Sequence, residues 1–142
     1  MELIALCLDT NAFSARQRSE PLAIKLIAAV DQIWLPAVVL GELRGGFLNA
    51  SKAAANELHL QDFLALPYLS VASVTEATSR HYAKISHQLR KDGKAIPSND
   101  IWIAATAMGL DCPIFTYDKH FKHVKGLTVV SSETDWISTF PS

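Results

Sequence analysis

Ser98-Asn99-Asp100-Ile101-Trp102-Ile103-Ala104-Ala105-Thr106-Ala107 reads as the opening of a buried helix with one carboxylate in its first turn. Pro97 disfavours helix in the residue before it, Ser98 or Asn99 can accept the orphan N–H groups of the first turn, and Gly109 stops the run. Between those signals nearly every side chain is apolar or small. A helix apolar almost all round belongs inside a domain, packed on a sheet, which puts Asp100 at the rim of the core. First-turn Asp is favoured by capping and by the helix dipole on its own, so alone it marks only a helix start. Its meaning changes with three acids at comparable places, Asp9, Glu42 and Asp118.

Leu3 to Leu8 is a continuous apolar run ended by Asp9-Thr10-Asn11, the pattern of a central parallel strand buried on both faces. Arg16 to Glu20 reads as a polar loop, and Pro21 opens a helix to about Asp31. Ile33-Trp34-Leu35 is a second strand. A helix from Ala37 to about Asn49 carries Glu42, with Gly45-Gly46 weakening or kinking it. Another spans Ser51 to about Leu66. Leu69 to Val74 gives a third strand, and Thr75 caps a helix to Leu89 with a basic, Gly-terminated end at Arg90 to Lys94. After the Asp100 helix, Cys112 to Thr116 is a fourth strand, Lys119 to His123 a helical turn and Leu127 to Val130 a fifth strand. The polar tail is anchored by Trp136, Ile137 and Phe140. Strands separated by helices imply an α/β fold with a mainly parallel sheet, whose ligand crevice lies beyond the strand C-termini. Asp9 and Asp118 both follow strands, and Asp100 can be brought to the same crevice.

At 142 residues, 49% hydrophobic and 19% charged, the chain fits one globular domain. A net charge of -1 argues mildly against a bulk-basic, histone-like or coat-like binder and leaves nucleic-acid contacts to local patches. Cys7 and Cys112 lie in or beside apolar runs and read as buried thiols in a reducing compartment; a disulfide between two core strands is the alternative. The start lacks a basic region and its apolar run is cut by Asp9, so it is a strand and not a signal peptide. No segment approaches the ~20 apolar residues of a membrane helix. The expected location is cytoplasmic.

Four carboxylates crowded in one crevice raise each other's pKa unless a cation takes up the charge. Oxygen-only ligands, without Cys or a His pair at metal spacing, suit Mg²⁺ or Mn²⁺ rather than Zn²⁺. The chemistry this suggests is phosphodiester hydrolysis. His120 and His123 stand three apart but lack a third soft ligand, and read as solvated side chains. Singly, Asp9 could be a turn former, Glu42 a surface acid and Asp118 the start of an Asx turn.

Leu8-Asp9-Thr10-Asn11, Gly41-Glu42-Leu43-Arg44-Gly45-Gly46, Asn99 to Ala107, and Phe115-Thr116-Tyr117-Asp118-Lys119-His120-Phe121 together resemble the PIN domain, specifically the VapC ribonuclease toxins. The match covers essentially the whole chain and keeps the four acidic motifs in order. The resemblance implies a single PIN domain over residues 1–142, with a three-layer fold and a five-stranded parallel sheet flanked by helices. It implies an Mg²⁺- or Mn²⁺-dependent endoribonuclease with Asp9, Glu42, Asp100 and Asp118 as metal-binding and catalytic acids, and Asn11 and Thr116 as polar supports. It also implies cleavage of tRNA or rRNA to leave a 5′-phosphate and a 3′-hydroxyl, a homodimer, and a cognate VapB-like antitoxin that blocks the crevice. Arg16 and Arg18, after Asp9, and Lys119, beside Asp118, are candidate RNA contacts, each with a solvated surface charge as the alternative. An aspartate-nucleophile phosphatase would want a second Asp where Asn11 stands. A PIN nuclease of RNA processing and a catalytically silent PIN binding module are the remaining readings.

Overall fold

The computed structural model describes residues 3–141, so Met1, Glu2 and Ser142 lie outside the described residues. Five strands, β1 (Ala5–Leu8), β2 (Gln32–Pro36), β3 (Leu69–Ala72), β4 (Ile114–Phe115) and β5 (Val129–Val130), form one sheet in the order β3-β2-β1-β4-β5. Every pairing is parallel. The expected α/β fold with a central parallel sheet is therefore what the chain adopts. Leu6, Cys7 and Leu8 of β1 and Ile114 and Phe115 of β4 have no exposed surface, so both faces of the sheet centre are covered. That is the reason these strands read as unbroken apolar runs.

Seven α-helices alternate with the strands among the described residues: α1 (Thr10–Gln17), α2 (Pro21–Ala29), α3 (Ala37–Leu48), α4 (Ala53–Leu64), α5 (Glu76–Lys91), α6 (Ser98–Gly109) and α7 (Glu133–Thr139). A 3₁₀ turn, Lys119–His123, follows β4. From β1 the sheet grows outward through β2 to β3, then resumes on the other side of β1 with β4 and β5. The strand order thus reverses between β1 and β4, and the C-terminal ends of these two strands are where sheets of this kind place their ligand sites. Register carries Asp9 there: Leu8 pairs with Phe115, and the Asp9 N–H donates to the Phe115 carbonyl at 3.1 Å.

Several local expectations are corrected. Residues 16–20 are not all loop, because Arg16 and Gln17 close α1, whose Ala12, Phe13 and Ala15 are buried. Only three buried side chains among polar neighbours gave too narrow an apolar stripe for periodicity to expose. The chain turns instead at Ser19, with φ 58°. Neither Ser98 nor Asn99 caps α6; Pro97 holds that position in extended geometry, and its carbonyl accepts from Ile101 N–H at 3.2 Å. Gly109 lies inside the helix, and the stop falls at Asp111, φ 50°. There Cys112 N–H donates to Ala107 O and Asp111 N–H to Met108 O, each at 3.0 Å, the paired bonds of a Schellman ending.

Helix α3 runs on through Gly45-Gly46 to Leu48, with Val39, Leu40 and Leu43 buried on its core side. In the tail, Trp136 and Phe140 pack their rings 4.7 Å apart against the core, while Ile137 is 60% exposed and anchors nothing. Residues four apart share a helix face, and Ile137 is turned about 100° away from it. Cys7 and Cys112 are buried free thiols. No helix among the described residues is long and apolar enough to cross a membrane.

Candidate active site

Asp9 ends β1 and begins α1, and this double position fixes its side chain. Its Oδ1 accepts the Thr10 N–H at 2.8 Å, and its Oδ2 accepts the Thr116 hydroxyl at 2.7 Å. The residue is 4% exposed. Burial pushes its carboxyl up to about 6; the two hydrogen bonds pull the other way, and the charges of Asp100 and Glu42 raise it further. Asp100, in the first turn of α6, is likewise held above the ordinary carboxylate range, first by burial, then by Asp118, with Glu42 adding to it and His120 opposing. Asp9 thus feels the charges of Asp100 and Glu42, and Asp100 those of Asp118 and Glu42, which brings the four acids into one neighbourhood.

The supports are as specific as the acids. Thr116, fully buried, donates to Asp9 and accepts the Asp118 N–H at 3.0 Å, so one hydroxyl ties together the carboxylate at the end of β1 and the backbone leaving β4. Asn11 Oδ1 accepts the Tyr117 N–H at 3.0 Å, holding the same segment to the start of α1. Asp118 caps the 3₁₀ turn by accepting the His120 N–H at 2.9 Å. It is an Asx-type cap and a member of the cluster at once.

Two residues join the site that sequence reasoning left out. The Thr10 hydroxyl donates to Glu42 Oε1 at 2.7 Å, which orients the acid of α3 toward the end of β1. Thr10 was visible as a polar residue in the Asp9-Thr10-Asn11 strand ending. His120 is not simply solvated: its Nδ1 stands 3.2 Å from Asp118 Oδ1 and 3.6 Å from Asp100 Oδ2. Its signals were its place two residues after Asp118 and its spacing of three from His123, the second of which was read as solvated. The three candidate RNA contacts have different surroundings. Arg16 lays its guanidinium 4.7 Å over the Phe63 ring, Arg18 pairs with Glu20 at 3.3 Å in the open, and Lys119 is exposed beside Asp118.

Asp100, Asp118 and His120 can each offer one ligand atom within 4.8 Å of the others. Crowded carboxylates, one of them buried and raised to about 6, are a donor set that favours a hard divalent cation. Because the Thr116 hydroxyl stabilises the ionised form of Asp9, Thr116→Val should move the Asp9 carboxyl above its value of about 6 in the metal-free chain. Carboxyl NMR titration checks this. Thr116→Ser should leave the titration in place, and an unmoved midpoint in the valine variant would show the hydroxyl to be a bystander.

The PIN domain family matches residues 6–127 of the chain. Ribonuclease VapC5 of Mycobacterium tuberculosis is 29% identical over 123 residues, which cover 87% of this chain and 90% of that protein. VapC ribonuclease Y4jK of Sinorhizobium fredii is 31% identical over 135 residues, covering 89% and 96%. The crystal structure of VapBC-5 from Mycobacterium tuberculosis, described as a member of the VapBC family of toxin-antitoxin systems, superposes with a TM-score of 0.71 at 26% identity, over 90% of this chain and 98% of that one.

Proposed function

The chain belongs to the PIN domain family, among the VapC ribonucleases of toxin–antitoxin systems, and from that premise we propose that it is a single-domain, Mg²⁺- or Mn²⁺-dependent endoribonuclease toxin. Its substrate is a structured RNA of translation, tRNA or rRNA, cut in the cytoplasm to stop protein synthesis. A VapB-like antitoxin holds it inactive, and the working form is a homodimer. The observation that carries the reading is the convergence of Asp9, Glu42, Asp100 and Asp118 at the strand-order reversal, where Asp9 and Asp100 are raised by burial and by their acidic neighbours.

In this reading Asp9, Asp100 and Asp118 hold the divalent cation and Glu42 completes the acidic wall. A divalent cation there supplies Lewis acidity at the scissile phosphate and favours ionisation of the attacking water. The chain's own part is preorganisation. Thr116 and the Thr10 N–H keep both Asp9 oxygens in place, and the Thr10 hydroxyl keeps Glu42 from swinging away. Asn11 fixes the start of the segment that delivers Asp118. With Asp9, Glu42 and Asp118 held before substrate arrives, little reorganisation is left for the reaction itself. Lys119, exposed at the edge of the cluster, and Arg16 and Arg18 on the α1 side offer positive charge for the RNA backbone.

Cleavage of total cellular RNA by the antitoxin-free chain tests this directly. Cuts with 5′-phosphate ends at discrete sites in tRNA or rRNA, dependent on Mg²⁺ or Mn²⁺ and abolished by EDTA, are expected, with Asp100→Asn reducing the rate at least about 100-fold. Cleavage that survives EDTA and Asp100→Asn would sink the four-acid mechanism.

A further inference from the structure

The acidic cluster contains one side chain that is not an acid. His120 is fixed by its own backbone: the N–H donates to Asp118 Oδ1 at 2.9 Å, which turns the residue back over that carboxylate. Phe121, fully buried next to it, pins the 3₁₀ turn to the core. The imidazole Nδ1 then stands 3.2 Å from Asp118 Oδ1 and 3.6 Å from Asp100 Oδ2, and the three residues offer ligand atoms within 4.8 Å of one another. Neighbouring ligands of one divalent ion, each about 2.1 Å from it, stand about 3 Å apart. The separations on both sides of the imidazole are close to that spacing.

We infer that His120 is a nitrogen ligand of the cation held by Asp100 and Asp118, so that this site is not an all-oxygen one. The inference rests on the acidic cluster being the metal site proposed above. Its consequence is selectivity. Imidazole nitrogen adds little for Mg²⁺, which prefers oxygen, and progressively more for Mn²⁺ and Co²⁺ along the first transition row. The competing account is that His120 is a cationic partner to the two carboxylates; an imidazolium has no lone pair to give and is repelled by a bound cation.

Electron spin-echo envelope modulation of Mn²⁺ added alone to the RNA-free, antitoxin-free chain separates the two. The wild type is expected to show nitrogen-14 coupling to bound Mn²⁺, lost in His120→Ala and kept in His123→Ala. Calorimetric titration should show His120→Ala weakening Co²⁺ binding about tenfold more than Mg²⁺ binding. The side chain is 49% exposed, so the alanine variant leaves the core intact. Mn²⁺ bound to the wild type without nitrogen coupling, or coupling that persists in His120→Ala, overturns the ligand assignment while leaving the acidic site standing. Failure of Mn²⁺ to bind the wild type at all overturns both.

Discussion

Asp9→Asn is expected to lower RNA cleavage about 1,000-fold while making the metal-free chain more stable at pH 7. The loss follows from replacing the most buried member of the cluster by a neutral amide that cannot carry charge for the cation, at a few kcal/mol of barrier. The gain follows from the same burial. Folded Asp9 holds its proton up to about 6, against an ordinary 3.8 in the unfolded chain. Between those values the folded state binds more protons than the unfolded one, so stability falls as pH rises from about 4 to about 6 and stays low above it. The gap corresponds to an upper bound of roughly 3 kcal/mol at pH 7, which the amide removes. Asparagine can keep both local bonds, its oxygen accepting from Thr10 N–H and its NH₂ donating to Thr116, whose own proton can turn to Asn11 Oδ1, 3.4 Å away. Urea denaturation in EDTA across pH 3.5 to 7.5 measures it: the variant should show a shallower decline than the wild type, the remainder coming from Asp100, which is also held above the ordinary carboxylate range. In the presence of Mn²⁺ the sign reverses, because a bound cation stabilises only the chain that holds it. Wild-type Mn²⁺ affinity should rise up to about tenfold per pH unit below about 6, as one proton is displaced. Equal stability profiles for the two proteins in EDTA would mean that Asp9 is not destabilised in the fold.

Phe121→Ala should cost about 3–5 kcal/mol of stability, the range for emptying a fully buried aromatic site. Phe121 has no exposed surface and is among the largest buried side chains. For a domain whose total stability is about 5–15 kcal/mol, that is enough to bring the midpoint of unfolding close to working conditions. The effect on activity should exceed the unfolded fraction. Asp118 and His120 belong to the same short turn, and short 3₁₀ segments owe their geometry to such anchors more than to their own hydrogen bonds. Cleavage measured at low temperature, where the variant is folded, should still fall about tenfold, because an error near 1 Å in a positioned group is costly. Ile137→Ala, at a site 60% exposed, should stay within about 0.5 kcal/mol of wild type. A Phe121→Ala cost below about 1 kcal/mol would show that the turn is held by something else.

The fold was legible where the chain is buried on both sides. Runs such as Leu6 to Leu8 and Ile114-Phe115, with helix signals between them, are the direct consequence of a parallel sheet covered by helices, whereas Leu3, read as part of the first strand, lies before β1 and is exposed. Asp9, Asp100 and Asp118 were legible because each stands at an element boundary, and Glu42 because it interrupts the apolar run of α3. Helix α1 was not, since Ala12, Phe13 and Ala15 make too small a stripe to outweigh the polar residues around them. The ending of α6 was misread at Gly109 because Asp111 took the left-handed position that usually favours glycine, with Schellman bonds compensating.

The α/β class, the family and the positions of four acids, three beside element ends and Glu42 within an apolar helix, could be read from the chain alone. These are local properties, written in which residues follow which. Only the tertiary structure decided that Thr10 orients Glu42, 32 residues away, that one buried hydroxyl at Thr116 joins Asp9 to the chain leading into Asp118, and that His120 faces Asp100. It also decided that Arg16 turns to Phe63. Those partners meet because the sheet grows one way from β1 to β3 and then the other way to β4 and β5. Hydrogen bonds and charge interactions act over a few ångströms, whatever the separation along the chain, so such contacts leave no periodic trace in the sequence.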